Sequence, residues 1–194
     1  MNHTHTRDRE AAQRWARALL ARSDWVVLDT ETTGLDGRDE VIQIAIVADD
    51  RSVLMDTLVR PQSRIPARAT AIHGITDDMV AHAPTFPEIF PQLAAILEGK
   101  LAICYNAAFD SRLLQQTAAR NKIGWPSVQW DCAMEQYARY FGQWSERNRS
   151  YQWQKLPRSK EYEHEKHQAI HDCLATLDLI RSMAGTTGVQ KRLL

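Results

Sequence analysis

Two acids one residue apart, Asp29 and Glu31 in the run Asp29-Thr30-Glu31-Thr32-Thr33-Gly34, follow the apolar stretch Val26-Val27-Leu28. Side chains alternate across a strand, so both project from one face, where two like charges raise a pKa strongly unless a cation lies between them. The apolar run puts the pair at the rim of a buried sheet rather than in open solvent. Two more acids follow at a distance: Asp110 in Asn106-Ala107-Ala108-Phe109-Asp110, at or near the start of a helix, and Asp172 in His167-Gln168-Ala169-Ile170-His171-Asp172, on the last helix. Taken singly, Asp110 reads as a capping residue and Asp172 as a solvated one. Taken together, the four carboxylates are neutralised by two divalent ions, and hard oxygen ligands favour two Mg²⁺, with Mn²⁺ as substitute, over zinc. Two such ions ~4 Å apart form the clamp used for in-line displacement at phosphorus, one activating water and the other stabilising the leaving oxygen. The chemistry so implied is hydrolysis of a phosphodiester.

His164, His167 and His171 are spaced like a metal-binding helix face, which offers zinc as an alternative. Against it, Glu163, Glu165 and Lys166 read as a loop, and no ligand-grade cysteine is near; His171 is taken as a bystander. Residues five apart on a helix point ~140° away from each other, so His167 shares a site with Asp172 only if it precedes the helix. Thr32, Gly34 and Leu35 follow the first acids directly, where small residues admit a nucleotide and Leu35 either packs against its base or joins the core. From Tyr140 to His167, Trp144, Tyr151, Trp153 and Tyr162 are interleaved with Arg147, Arg149, Lys155, Arg158 and Lys160. That mixture suits a strand whose phosphates need cations and whose bases stack. It reads equally as a solvated loop with some buried aromatics.

The elements that must position these groups are legible in the hydrophobic pattern. Ala12, Trp15, Ala16, Leu19 and Leu20 predict an amphipathic helix over about 9–21. Strands are predicted at 25–30, 40–48 and 52–60, the last two joined by a turn at Asp49-Asp50-Arg51. Helices at 67–72 and 86–97 lead to a strand at 101–105, then a helix at 109–120, a strand at 128–132 and a helix at 134–141. A polar segment spans 142–165, and a final helix runs from about 169 to 183. Strands in a hairpin group, then strands alternating with helices, predict an α/β layering around a mixed sheet.

The 194 residues suit one domain, with neither repeats nor low-complexity segments. Net charge is zero, but 15 acidic and 10 basic residues precede Lys100 while 9 and 14 follow from it, so no uniformly basic coat exists. The charged amino terminus and the lack of long apolar runs argue against a secretory signal or membrane span, and for a cytoplasmic protein. Cys104, Cys132 and Cys173, widely spaced and odd in number, read as free thiols of a reducing compartment.

The three acid-bearing runs resemble, in order and kind, the motifs of the DnaQ-like 3′–5′ exonucleases of the DEDDh class, in the ribonuclease H-like superfamily. The first is similar to Asp29-Thr-Glu-Thr-Thr-Gly34, the second to Asn106-x-x-Phe109-Asp110, the third to His167-x-Ala169-x-x-Asp172; His73-Gly74-Ile75-Thr76 and the stretch 131–134 add to the likeness. The resemblance implies an α/β fold with a ribonuclease H-like mixed five-stranded sheet, three strands antiparallel and two parallel, and helices on both faces. It implies metal ligation by Asp29, Glu31, Asp110 and Asp172, His167 as general base, and contacts to the terminal nucleotide from Thr32, Gly34, Leu35, His73, Asn106 and Phe109. It divides the chain into an amino-terminal helical extension (1–24), an exonuclease domain (25–185) and a short tail (186–194). The expected substrate is a nucleic acid 3′ end, single-stranded DNA first. Alternatives are an exoribonuclease or oligoribonuclease acting on RNA, since the sequence does not show how a 2′-OH is treated, and a proofreading subunit docked on a polymerase. Gln190-Lys191-Arg192-Leu193-Leu194 resembles the short peptides with which bacterial replication proteins grip a sliding clamp, a match that five residues reach easily by chance.

Overall fold

The computed structural model describes residues 3–158 and 168–185. Helix α1 (His3–Leu20) leads into strand β1 (Trp25–Thr32), followed by β2 (Val41–Ala48) and β3 (Val53–Leu58). Then come α2 (Ala67–His73), α3 (Asp77–Val80), α4 (Phe86–Leu97), β4 (Leu101–Cys104), α5 (Ala107–Arg120), β5 (Gln129–Cys132) and α6 (Ala133–Phe141). A small hairpin, β6 (Trp144–Ser145) and β7 (Ser150–Tyr151), precedes the last helix, α7 (Ala169–Ala184). The sheet order is β3-β2-β1-β4-β5, antiparallel across β1–β2 and β2–β3 and parallel across β1–β4 and β4–β5. The expected mixed five-stranded sheet is therefore the fold. Among the described residues, no helix is long and apolar enough to cross a membrane.

Alternation along β1 sorts the two cores. Val26 and Leu28 face α4 and α5, packing with Leu93, Leu97, Leu113 and Leu114. Trp25 and Val27 face the other way, onto Ala16 and Leu19 of α1 and Cys173 and Leu177 of α7. By the same period of two, Thr30 continues the first face, and Asp29 and Glu31 continue the second. The register with β2 slips between Glu31 and Thr32, a bulge of the kind that re-aims side chains at a sheet end. Beside it, fully buried Ile42 anchors a third cluster with Ile65, Ala69, Ile75 and Val80, which brings α2 alongside the acids.

Several elements differ from their sequence-based expectation. Helix α1 begins six residues early, because its first turns are fastened to the β6–β7 hairpin: Tyr151 donates to Asp8 (2.6 Å), and His5 Nδ1 lies 3.0 Å from the same hydroxyl. Farther along, Trp15 Nε1 donates to Asp131 (2.6 Å) and Arg17 Nε to the Ala184 carbonyl (3.1 Å). Helix α3 escapes the periodicity because four residues make no repeat; Thr76 caps it, accepting from the Met79 amide, ahead of Asp77 and Asp78. The two-residue strands of the hairpin fall inside the segment expected to be irregular. Helix α4 matches its predicted span, with a Thr85–Glu88 capping box marking its start.

Candidate active site

Helix α7 sets the geometry. Ala169 and Cys173, one turn apart and fully buried, press it onto the sheet; the Cys173 thiol lies 3.3 Å from the Ala45 carbonyl, and the Ala169 amide donates to the side chain of Gln43 (3.3 Å). Gln43 is the β2 partner of Glu31, and Ala45 that of Asp29. Asp172, on the same side of the helix as Ala169 and Cys173, is thus delivered above the acid pair. Carboxylate oxygens of Asp29, Glu31 and Asp172 all lie within 4.8 Å of one another.

Asp110 approaches from the opposite face. Helix α5 starts where parallel strand β4 ends, and Asp110 in its first turn accepts a hydrogen bond from Thr30 Oγ1 (2.8 Å). Burial first, and the charges of Asp110, Asp172 and Glu31 next, push the Asp29 carboxyl well above its ordinary range. Glu31 is pushed up to about 8, mainly by burial and then by Asp172. Asp110 rises to about 7 through burial, with the Thr30 hydroxyl pulling the other way. Among the described residues Arg158 partly offsets the set: its Nη2 lies 2.6 Å from the Asp172 carboxylate, and its charge lowers the pKa of both Asp29 and Glu31. Among the described residues, the three grouped carboxylates and nearby Asp110 outweigh this guanidinium and leave a negative, oxygen-rich site of the kind that suits a hard divalent ion.

Next to the acids opens a cavity of about 340 Å³. Glu31, Thr32, Gly34 and Leu35 line one side, and Arg68, Ile72 and His73 of α2 the other. Leu35 is 72% exposed, so it belongs to the cavity rim and not to the core. Thr32 Oγ1 donates to the Gly34 carbonyl (2.7 Å), tightening the turn. At Gly34 a Cβ would meet the Asp39 carboxylate at 2.5 Å, a carboxylate already tied to Thr33 Oγ1 and the Asp36 amide. His73 is buried and its Nδ1 accepts from the Ile75 amide (3.0 Å), which fixes the ring at the cavity wall. Asn106 and Phe109 lie elsewhere, at the head of α5: Asn106 is exposed, and Phe109 packs partly on the core beneath the Arg112 guanidinium.

Arg68 and Ile72 were not singled out by the sequence. Their one signal is position on α2, five residues ahead of and directly before His73, with Ile72 58% exposed. The aromatic and basic segment divides: Trp144 and Tyr151 pack edge-on with each other and with His5 of α1, Trp153 is 70% exposed, and Arg158 meets Asp172. His171 is half-buried beside Asp172, and the cysteines are free thiols, two of them buried. His164, His167, Tyr162, Lys160 and the tail Gln190–Leu194 lie outside the described residues.

Comparison with known proteins agrees with this arrangement. The family described as Exonuclease matches residues 26–180. An uncharacterized exonuclease, CP81, of Escherichia phage 186 is 34% identical over 195 residues, covering 95% of this chain and 97% of its own. Exodeoxyribonuclease 10 of Escherichia coli K12 is 30% identical, covering 84% of this chain and 69% of the enzyme. Among solved structures, exonuclease X in complex with 5′-overhanging duplex DNA superposes with a TM-score of 0.53 at 25% identity, over 86% of this chain and 96% of that one. With its mixed sheet, its acid cluster and a family match running from β1 into α7, the chain belongs to the exonuclease family, as a DnaQ-like 3′–5′ exonuclease.

Proposed function

We propose that this phosphodiester hydrolase removes nucleotides from the 3′ end of DNA, single-stranded ends first, with two divalent ions held by Asp29, Glu31, Asp110 and Asp172. The observation that carries this reading is the set of three carboxylates within 4.8 Å of one another, one of which, Glu31, lines a 340 Å³ cavity. When bound, the ions supply charge neutralisation at the scissile phosphate and a lowered pKa for the attacking water. The cavity takes the terminal nucleotide: its volume falls in the range of small-ligand sites, and Leu35 and Ile72 offer apolar contact to a base while Arg68 offers a cation to a phosphate. Thr32 and Gly34 bring backbone close to the sugar, and His73 closes the wall. Asn106 and Phe109, at the head of α5, would meet the next nucleotide. His167, the residue before the extended N-cap of α7, acts as the general base, accepting the proton of the attacking water. DNA as substrate is supported by the relative named exodeoxyribonuclease and by the DNA bound to exonuclease X.

The test is digestion of matched DNA and RNA oligonucleotides, each labelled at the 5′ end, with a free or a phosphate-blocked 3′ end. Shortening from the free 3′ end that stops in chelator and returns with Mg²⁺ or Mn²⁺ is the expected result. Full turnover in chelator would remove the metal reading, and faster loss of RNA would replace DNA with RNA as the substrate.

A further inference from the structure

Residues 152–158, which follow the β6–β7 hairpin, lead to the edge of the acid site. They are pinned upstream of their charged end: Tyr105 donates its hydroxyl proton to the Gln154 carbonyl (2.6 Å), and Leu156 packs on the core cluster under α7. Two residues later Arg158 places Nη2 2.6 Å from Asp172, with only 15% and 10% of the two side chains exposed. This is not a rim ion pair of negligible worth. It is a partly desolvated, charge-assisted contact to one of the carboxylates read above as metal ligands. The same guanidinium also acts on Asp29 and Glu31, favouring their charged forms.

A hard divalent ion held by Asp172 would share that carboxylate with a guanidinium already bound to it. Two cations so close repel, and the anchors at Gln154 and Leu156 hold the backbone ahead of Arg158 by contacts that do not involve its guanidinium. We infer that Arg158 is an exchangeable counter-cation of the active site: it balances the acid set when metal is absent, and a divalent ion must displace it from Asp172 to bind. The inference rests on the proposed metal site. It assigns this chain's metal affinity, and not only its charge balance, to a residue outside the acid set.

The experiment compares wild type, Arg158→Gln and Arg158→Lys by calorimetric titration with Mn²⁺ and Mg²⁺ in the absence of nucleic acid, and by thermal melts in chelator and in excess metal. Arg158→Gln should bind Mn²⁺ roughly tenfold more tightly, a change of ~1.4 kcal/mol. It should melt lower than wild type in chelator, match it in excess metal, and so show a larger metal-induced rise in Tm. Arg158→Lys, keeping the charge without the planar fork, should fall between. Equal metal affinity in wild type and Arg158→Gln would overturn the inference. So would an equal loss of Tm with and without metal, the mark of a purely structural pin. If wild type itself binds no divalent ion, the metal-site reading fails instead, and the two failures are distinct.

Discussion

The two helices that complete the acid site do so in opposite ways. Helix α5 brings Asp110 already partnered, its carboxylate on a neutral hydroxyl of β1; the same helix braces the cavity rim, Arg112 donating to the Leu35 carbonyl (3.1 Å) and Gln116 to the carbonyls of Asp36 and Asp39. Helix α7 brings Asp172 into a face where the carboxylates of Asp29 and Glu31 have no side-chain hydrogen bond among the described residues, and where balance comes from the charge of Arg158. One side is assembled by hydrogen bonds that need no ion. The other is held against its own repulsion and gains most from one.

The largest effect that separates the two sides is on substitution of the acids. Asp29→Asn and Asp110→Ala should each abolish measurable turnover, but their stabilities in chelator should diverge. Asp29→Asn removes a like charge from a buried cluster and should hold or raise Tm. Asp110→Ala leaves the buried Thr30 hydroxyl without its acceptor and should cost about 1–3 kcal/mol, whereas Asp110→Asn, which keeps an acceptor, should recover most of it. Parallel losses in Asp29→Asn and Asp110→Ala would break the contrast.

Next in size is the proposed base on the α7 side. His167→Ala should keep its metal-bound Tm, lose ~10²–10⁴ in turnover and flatten the rise of rate with pH between roughly 6 and 8. Near-normal turnover there, with His171→Ala inactive, would transfer the role to His171.

The pH dependence of the metal-free protein probes the same repulsion. Glu31 and Asp110 are raised to about 8 and about 7 in the fold, from ordinary values of 4.5 and 3.8, so the folded chain holds these protons more tightly than the unfolded one. Their contribution to stability is complete below about pH 4 and is lost as pH rises through about 7 and 8. Melts in chelator should therefore decline from about pH 5 toward pH 9. In excess metal the ionised carboxylates hold the ion, and the decline should shrink or reverse. A flat profile in chelator would mean that Arg158 balances the cluster more fully than burial opposes it.

What the sequence made legible follows from periodicity and proximity. Strand β1 was readable because Trp25–Leu28 is a run of β-formers, and the alternation that put Asp29 and Glu31 on one face needed no tertiary knowledge. The pairing of Asp110 with Thr30 was not readable, since 80 residues separate them and only the parallel β1–β4 register brings the head of α5 to that face. Arg158 stood among several cations in a polar segment, and nothing local marks which of them folds back onto an acid 14 residues away. Gly34 was read as room for a nucleotide; its contact with Asp39, fixed by Thr33 and Asp36, gives it a further, internal reason. Leu35 was ambiguous between core and rim because one apolar residue in a turn carries no period.

The smallest effect belongs to the bracing of that rim by α5. Gln116 has no hydrogen bond to the four site carboxylates and does not line the cavity, yet its amide ties the backbone carbonyls of Asp36 and Asp39 in the loop that carries Leu35. Losing both bonds removes order from the loop without altering the groups that polarise the phosphate, so the loss should fall on binding and not on the chemical step. Each bond is worth about 1 kcal/mol net, and solvent replaces part of it at an exposed site. Gln116→Ala should therefore raise KM by roughly fivefold, the equivalent of ~1 kcal/mol, with kcat and metal affinity unchanged. Leu35→Ala, which removes the contact itself from a residue too exposed to matter to the core, should raise KM similarly and leave the unfolding free energy within ~0.5 kcal/mol of wild type. If the two effects act through one loop, the double variant should raise KM less than the product of the single changes, because the bracing has value only while Leu35 is there to be positioned. A full product would mean that α5 stabilises the loop for some purpose other than presenting Leu35.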